Sequence, residues 1–315
     1  MFIYLVALIP VVTWGSYGIV ATKLGGSAGQ QTFGMTIGAM GFGLIAFVAF
    51  IIPQNINVSA HIWIAGILSG LLWAVGQAGQ FTAFKAMGVS NGFPFSTAGQ
   101  IVGNAALAAT ILGEWSSART WIFGTISIML VVVGAFLTAK RDKAIKTGDD
   151  ETKSETTRGL IAILISTVGY SGYYIIPNYM RKIGYISHEI ANKNNGIDFV
   201  TATIFPQSIG MVIGAFLIVI LFMREGKTMF KAPTWRNMLP GVIWGIGNLA
   251  MFISAANPKL GQAMAVTISQ MGIIIGTFGG IYILHESKTK KQMVYIVIGA
   301  ILILMGGALI SNLPK

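Results

Sequence analysis

Uncharged runs of about 18 to 22 residues recur along the chain, separated by short connections in which the charged residues collect. Each run can cross a hydrocarbon core of roughly 30 Å as a helix. Lipid offers no partner to an exposed backbone amide, so the runs must close their hydrogen bonds internally. The pattern predicts spans at residues 2–20, 33–52, 61–83, 90–112, 120–139, 158–177, 200–222, 238–256, 262–284 and 293–312. The first run begins at Phe2 with neither a basic n-region nor a small-residue cleavage site, so it is expected to be a retained span and not a signal peptide.

Composition agrees with a chain whose main solvent is lipid. Apolar residues make up 54% of the 315 positions and charged ones 10%, far from a soluble globular domain. The net charge of +11 does not imply nucleic acid, because Lys and Arg sit in the connections and form no aromatic-interleaved patch. The 1/2, 3/4, 5/6, 7/8 and 9/10 connections hold 15 of the 21 basic residues, which by the positive-inside rule puts both termini outside. Without any cysteine, disulfides and thiolate chemistry are excluded.

The basic stretch at 140–158 divides the chain into a first five-span half (1–140), a charged linker expected to be cytoplasmic (141–157) and a second five-span half (158–315). The halves echo one another. GMTIGA at 34–39 matches GMVIGA at 210–215 in five of six positions. Gly70, Trp73, Gly76 and Gln77 recur 171 residues later as Gly241, Trp244, Gly247 and Asn248, and Leu112 and Glu114 return as Leu284 and Glu286. Five is odd, so a duplicated half must enter from the opposite side, giving an all-α membrane protein of about ten helices in two inverted repeats. Glycine pairs four apart, such as Gly34/Gly38 and Gly210/Gly214, point to close helix packing.

Polar side chains inside the spans carry the candidate chemistry. Span 3 holds Trp73, Gln77 and Gln80 on one side, and span 8 repeats the theme with Trp244 and Asn248. Span 4 adds Gln100 and Asn104, span 9 Gln270, span 1 Trp14, and span 6 Tyr170, Tyr174 and Asn178. Amides pair with adjacent hydroxyls and tryptophan offers a flat apolar face, so this neutral set suits an uncharged polyhydroxylated solute. The same groups also serve as glue between helices, which is the competing reading of each one.

Ionisable residues are almost absent at mid-depth, so no strong proton carrier stands out. Glu114 and Glu286, at the ends of spans 4 and 9, are the candidates for coupling or gating. Lys85 is expected to snorkel and His285 to sit in loop solvent, with no metal-ligand spacing and no cofactor signature. Pro94 within Asn91-Gly-Phe-Pro-Phe-Ser-Thr97 suggests that span 4 opens with an irregular segment.

Taken together, WGSYG (14–18), LLWAVGQ (71–77), the 91–100 segment, LGEWSS (112–117) and LPGVIWGIGN (239–248) make the chain resemble the bacterial glucose/ribose uptake porters of the drug/metabolite transporter superfamily. The resemblance covers nearly the whole chain. It implies uptake of glucose, ribose or a related monosaccharide across the bacterial cytoplasmic membrane, with protons as the usual coupling ion, and no catalytic role. Superfamily members are often drawn with cytoplasmic termini, against the charge count here. An exporter of small metabolites or drugs on the same fold is the alternative, and the oligomeric state is left open.

Overall fold

The computed structural model describes residues 2–138, 140, 149–257 and 259–313. These form ten helices long and apolar enough to cross a membrane: α1 (Phe2–Leu24), α2 (Ala28–Ile51), α3 (Ala60–Met87), α4 (Val89–Leu112), α5 (Ala118–Thr138), α6 (Ser154–Lys182), α7 (Ile197–Phe222), α8 (Ala232–Ala255), α9 (Met264–Tyr282) and α10 (Lys290–Ser311). Every expected span is present. The expected linker lies outside the described residues over 141–148, and from Asp149 the chain is already helical in the element that becomes α6. Pro258 also lies outside them.

Caps explain where the helices begin. α2 starts five residues earlier than hydropathy suggests because Ser27 and Gln30 close a reciprocal capping box. α8 is led by a short turn, Ala232–Arg236, with Pro233 at its start, where a missing amide costs nothing. The irregular opening expected for span 4 is not found, since Val89–Leu107 is one α-helix with Pro94 inside it. Its first two free amides, those of Val89 and Ser90, donate to the Glu286 carboxylate at 2.7 and 3.0 Å. A partner 197 residues away therefore supplies the cap that local sequence lacks.

Helix packing is preserved when each span is exchanged for the one five places along. α1 packs on α8 as α6 packs on α3, and α2 packs on α8 as α7 packs on α3. α4 lies against α6 as α9 lies against α1, while α2 with α7, α4 with α9 and α5 with α10 map onto themselves. Even local detail repeats, for α2 and α7 both finish in π-turns, at Phe47–Ile51 and Ile218–Phe222.

Glycine faces make these contacts possible. An added methyl at Gly38 would collide with the backbone carbonyl of Met238, and at Gly241 with that of Met35, across the α2/α8 contact. Gly70 against Gln207 and Gly210 against Ile67 form the equivalent seam between α3 and α7. Between lipid-solvated helices no water is released, so this close approach, with its dispersion gain, holds the bundle together. Exposed Phe123, Phe136, Leu164 and Phe222 face outward to the acyl chains.

Gly241→Ala is therefore expected to lower stability by about 1–3 kcal/mol, the usual cost of overpacking. Gly41→Ala, whose new methyl meets nothing within 4 Å, should leave the melting temperature in detergent unchanged. Equal melting temperatures for both variants would contradict this account of the seams.

Candidate functional site

Close packing of α3 and α8 against α2 and α7 brings the repeat-related tryptophans together at the centre of the bundle. The Trp73 and Trp244 ring centroids lie 4.9 Å apart at 59°, and Tyr170 presents its edge to Trp73 at 6.1 Å. Both indoles are at least 92% buried by the surrounding helices. Trp14 donates from Nε1 to the Trp244 carbonyl at 3.3 Å, fixing α1 to α8 at the same level.

Above this aromatic floor runs a web of neutral hydrogen bonds. Tyr17 donates to Gln80 Oε1. The Tyr170 hydroxyl is 2.7 Å from Gln77 Oε1 and 2.9 Å from Gln80 Oε1, close enough to donate to either. Gln80 Nε2 then donates to Ser96 Oγ at 2.8 Å, which also accepts from Gln100 Nε2 at 3.3 Å. The web ties α1, α3, α4 and α6 into one rigid wall.

A cavity of about 440 Å³ opens over these groups, a size typical of small-molecule sites. Trp14, Trp73, Gln80, Gln100, Asn104 and Tyr170 line it, as do Tyr174, Trp244, Asn248 and Gln270 from the remaining helices. Three of these have a buried amide atom with no hydrogen-bond partner among the described residues: Asn104 Oδ1, Asn248 Nδ2 and Gln270 Oε1. The residues line the hollow, but these particular atoms are turned away from its space, Gln270 Oε1 packing against Gly307.

Glu114, Trp115, Ile310 and Leu313 line the end of the cavity nearest the membrane face where α4 and α10 finish, which we take as its mouth. Glu114 is half-buried and makes no side-chain hydrogen bond among the described residues.

Other expected residues fall elsewhere. Gln77 is fully buried behind Gln80 and acts through the web. Asn178 lines an adjoining cavity of about 290 Å³ with Arg181 and Asn192 and donates to the Tyr174 carbonyl at 2.7 Å. Glu286 lies at the opposite membrane face, on the start of α4.

Several lining groups escaped the sequence reading although helical spacing points to them. Tyr17 is three residues after Trp14 and Phe252 four after Asn248, each on the face already singled out, while Ser96, four before Gln100, is buried in the web behind the lining.

Comparison with known proteins fits this architecture. The family described as "Sugar transport protein" matches residues 5–313. A Lactiplantibacillus plantarum protein named for sugar uptake is 41% identical over 308 residues, covering 98% of each chain. The Bacillus subtilis glucose uptake protein GlcU is 36% identical over 300 residues, 95% of this chain and 94% of that one. A solved crystal structure aligns over 97% of this chain and 94% of its own with a TM-score of 0.56 at 15% identity, a likeness of fold. The chain, a multi-pass protein of the bacterial cell membrane, belongs to the sugar transport protein family.

Proposed function

We propose that the chain takes up a neutral monosaccharide of the glucose or ribose class through this cavity, by alternating access of two inverted five-helix halves. The observation that carries the reading is the Trp73/Trp244 floor under a cavity wall that carries the neutral amide side chains of Gln80, Gln100, Asn104, Asn248 and Gln270. Sugar C–H faces match the indole, and amides can both donate to and accept from ring hydroxyls. The names of the relatives support the substrate class and the inward direction.

The exchange pattern of the helix packing supports the inverted repeat. With the charge bias putting the termini outside, the cavity is open to the exterior. Proton symport has one candidate carrier on the wall among the described residues, Glu114.

Proteoliposomes of the purified protein should take up labelled glucose or ribose saturably, and faster under an inward proton gradient. Saturable uptake that ignores the gradient would replace symport by facilitated diffusion, and no uptake of either sugar would favour export of other metabolites.

Side chains on the wall separate into two kinds. Asn248→Ala removes a donor with no protein partner, so it should raise KM roughly fivefold while abundance and melting temperature hold, the worth of about one neutral hydrogen bond. Gln80→Ala leaves the Tyr17, Tyr170 and Ser96 hydroxyls short of a partner, and should lower stability by about 1–3 kcal/mol as well as uptake. Unaltered KM in Asn248→Ala would remove that amide from the site.

A further inference from the structure

The two carboxylates outside the aromatic site occupy equivalent places in the two halves. Glu114 follows α4 and Glu286 follows α9, 172 residues apart. Their arms share one backbone form. Gly113 at φ 71° and His285 at φ 57° each precede the acid in the left-handed region. The Glu114 amide donates six residues back to Ala108 at 2.9 Å, and the Glu286 amide six residues back to Gly280 at 3.2 Å.

Only one arm is engaged. Glu286 accepts from the first two amides of α4 and from the Ser90 hydroxyl, joining the ends of α4 and α9 on the face away from the cavity mouth. Lys288 reinforces the join by donating to Asn91 Oδ1 at 2.8 Å. Gly88, at φ 82°, lets the carboxylate come close, for a methyl there would stand 2.8 Å from Oε2.

On the open face the corresponding helix start is that of Gly261–Gln270, the segment leading into α9, which begins 172 residues after Val89. The first amides of a helix have no internal partner. Glu114, the acid in the matching position, lines the cavity, and its carboxylate makes no hydrogen bond among the described residues.

We infer that Glu286 and Glu114 are alternating latches. Glu286 caps α4 and seals the face opposite the mouth in the state described, and Glu114 caps the leading segment of α9 and seals the mouth in the other state, when Glu286 is released. Leu260 stands where Gly88 does, so the second contact shares the pairing of carboxylate with first-turn amides and not its atomic detail. The inference rests on the alternating-access reading, and it assigns the acids a positioning role on the two gates.

The chain has no cysteine, so a single introduced one reports alone. Val89→Cys, 1% exposed beside the sealed cap, and Ala108→Cys, on the wall near the mouth, are the reporters, labelled in sealed vesicles by an impermeant maleimide applied from each side. Glu286→Gln should raise Val89→Cys labelling roughly fivefold, the shift that loss of one helix cap brings, and lower Ala108→Cys labelling with it. Ser90→Ala, which keeps the charge and removes one donor, should move both reporters the same way by less. Adding Glu114→Gln to Glu286→Gln should return both toward their starting rates.

Unchanged Val89→Cys labelling in both Glu286→Gln and Ser90→Ala overturns the proposal. So does a rise at Val89→Cys without a fall at Ala108→Cys, since that marks a frayed helix end and no exchange of gates. Labelling is read without sugar, so a protein that fails to take up glucose or ribose but exchanges its reporters would lose its assigned substrate and keep its latches.

Discussion

Backbone-to-backbone approach at the glycine faces is the contact on which the rest depends. In lipid the apolar side chains gain little by leaving their surroundings for one another, so two helices stay together only if their main chains come close enough for dense contact. Gly38 and Gly241 permit this between α2 and α8, and Gly70 and Gly210 between α3 and α7. Those seams set the depth at which Trp73 and Trp244 meet from opposite halves. A wider separation would part the indoles and dissolve the floor of the cavity.

On that floor the polar groups divide into those already satisfied and those held in reserve. Gln77 and Gln80 spend their capacity on Tyr17, Tyr170 and Ser96, which makes them walls. Asn104, Asn248 and Gln270 keep an atom free. An unpaired buried amide costs about 1–3 kcal/mol, so under the proposed uptake a solute whose hydroxyls reach these side chains is favoured. In the proposed function, selectivity for a polyhydroxylated guest would come from the penalty on every guest that leaves the amides bare.

Much of this was legible in the residues, and the exceptions share a physical cause. Long uncharged runs announce spans because the bilayer fixes their length, and the tryptophans that spans 3 and 8 share are the pair that meets at the centre of the bundle. Helical spacing could not say whether Gln77 or Gln80 faces the hollow, since residues three apart differ by about 60° in direction, well within one helix face. Nor could it foresee that the Asn91-Gly-Phe-Pro segment is helical. Locally those residues argue against a helix, and the cap that overrules them comes from Glu286 in the other half. Tyr17 and Ser96 were within reach of the same face argument that found Trp14 and Gln100.

A protein built from two similar halves must break its own symmetry to hold a gradient, because a bundle sealed alike on both faces passes nothing and one open on both leaks. The break is visible in one pair of acids, with the Glu286 carboxylate bonded to two amides and a hydroxyl while the Glu114 carboxylate makes no hydrogen bond among the described residues. A charge-assisted cap without a counterpart would hold the chain in a single state. Transport requires the two states to differ by no more than a solute's differential affinity can shift, a few kcal/mol at most. Placing a second acid at the equivalent point of the other half supplies a comparable contact to the opposite state, which keeps the balance close while leaving each gate firmly shut in its turn.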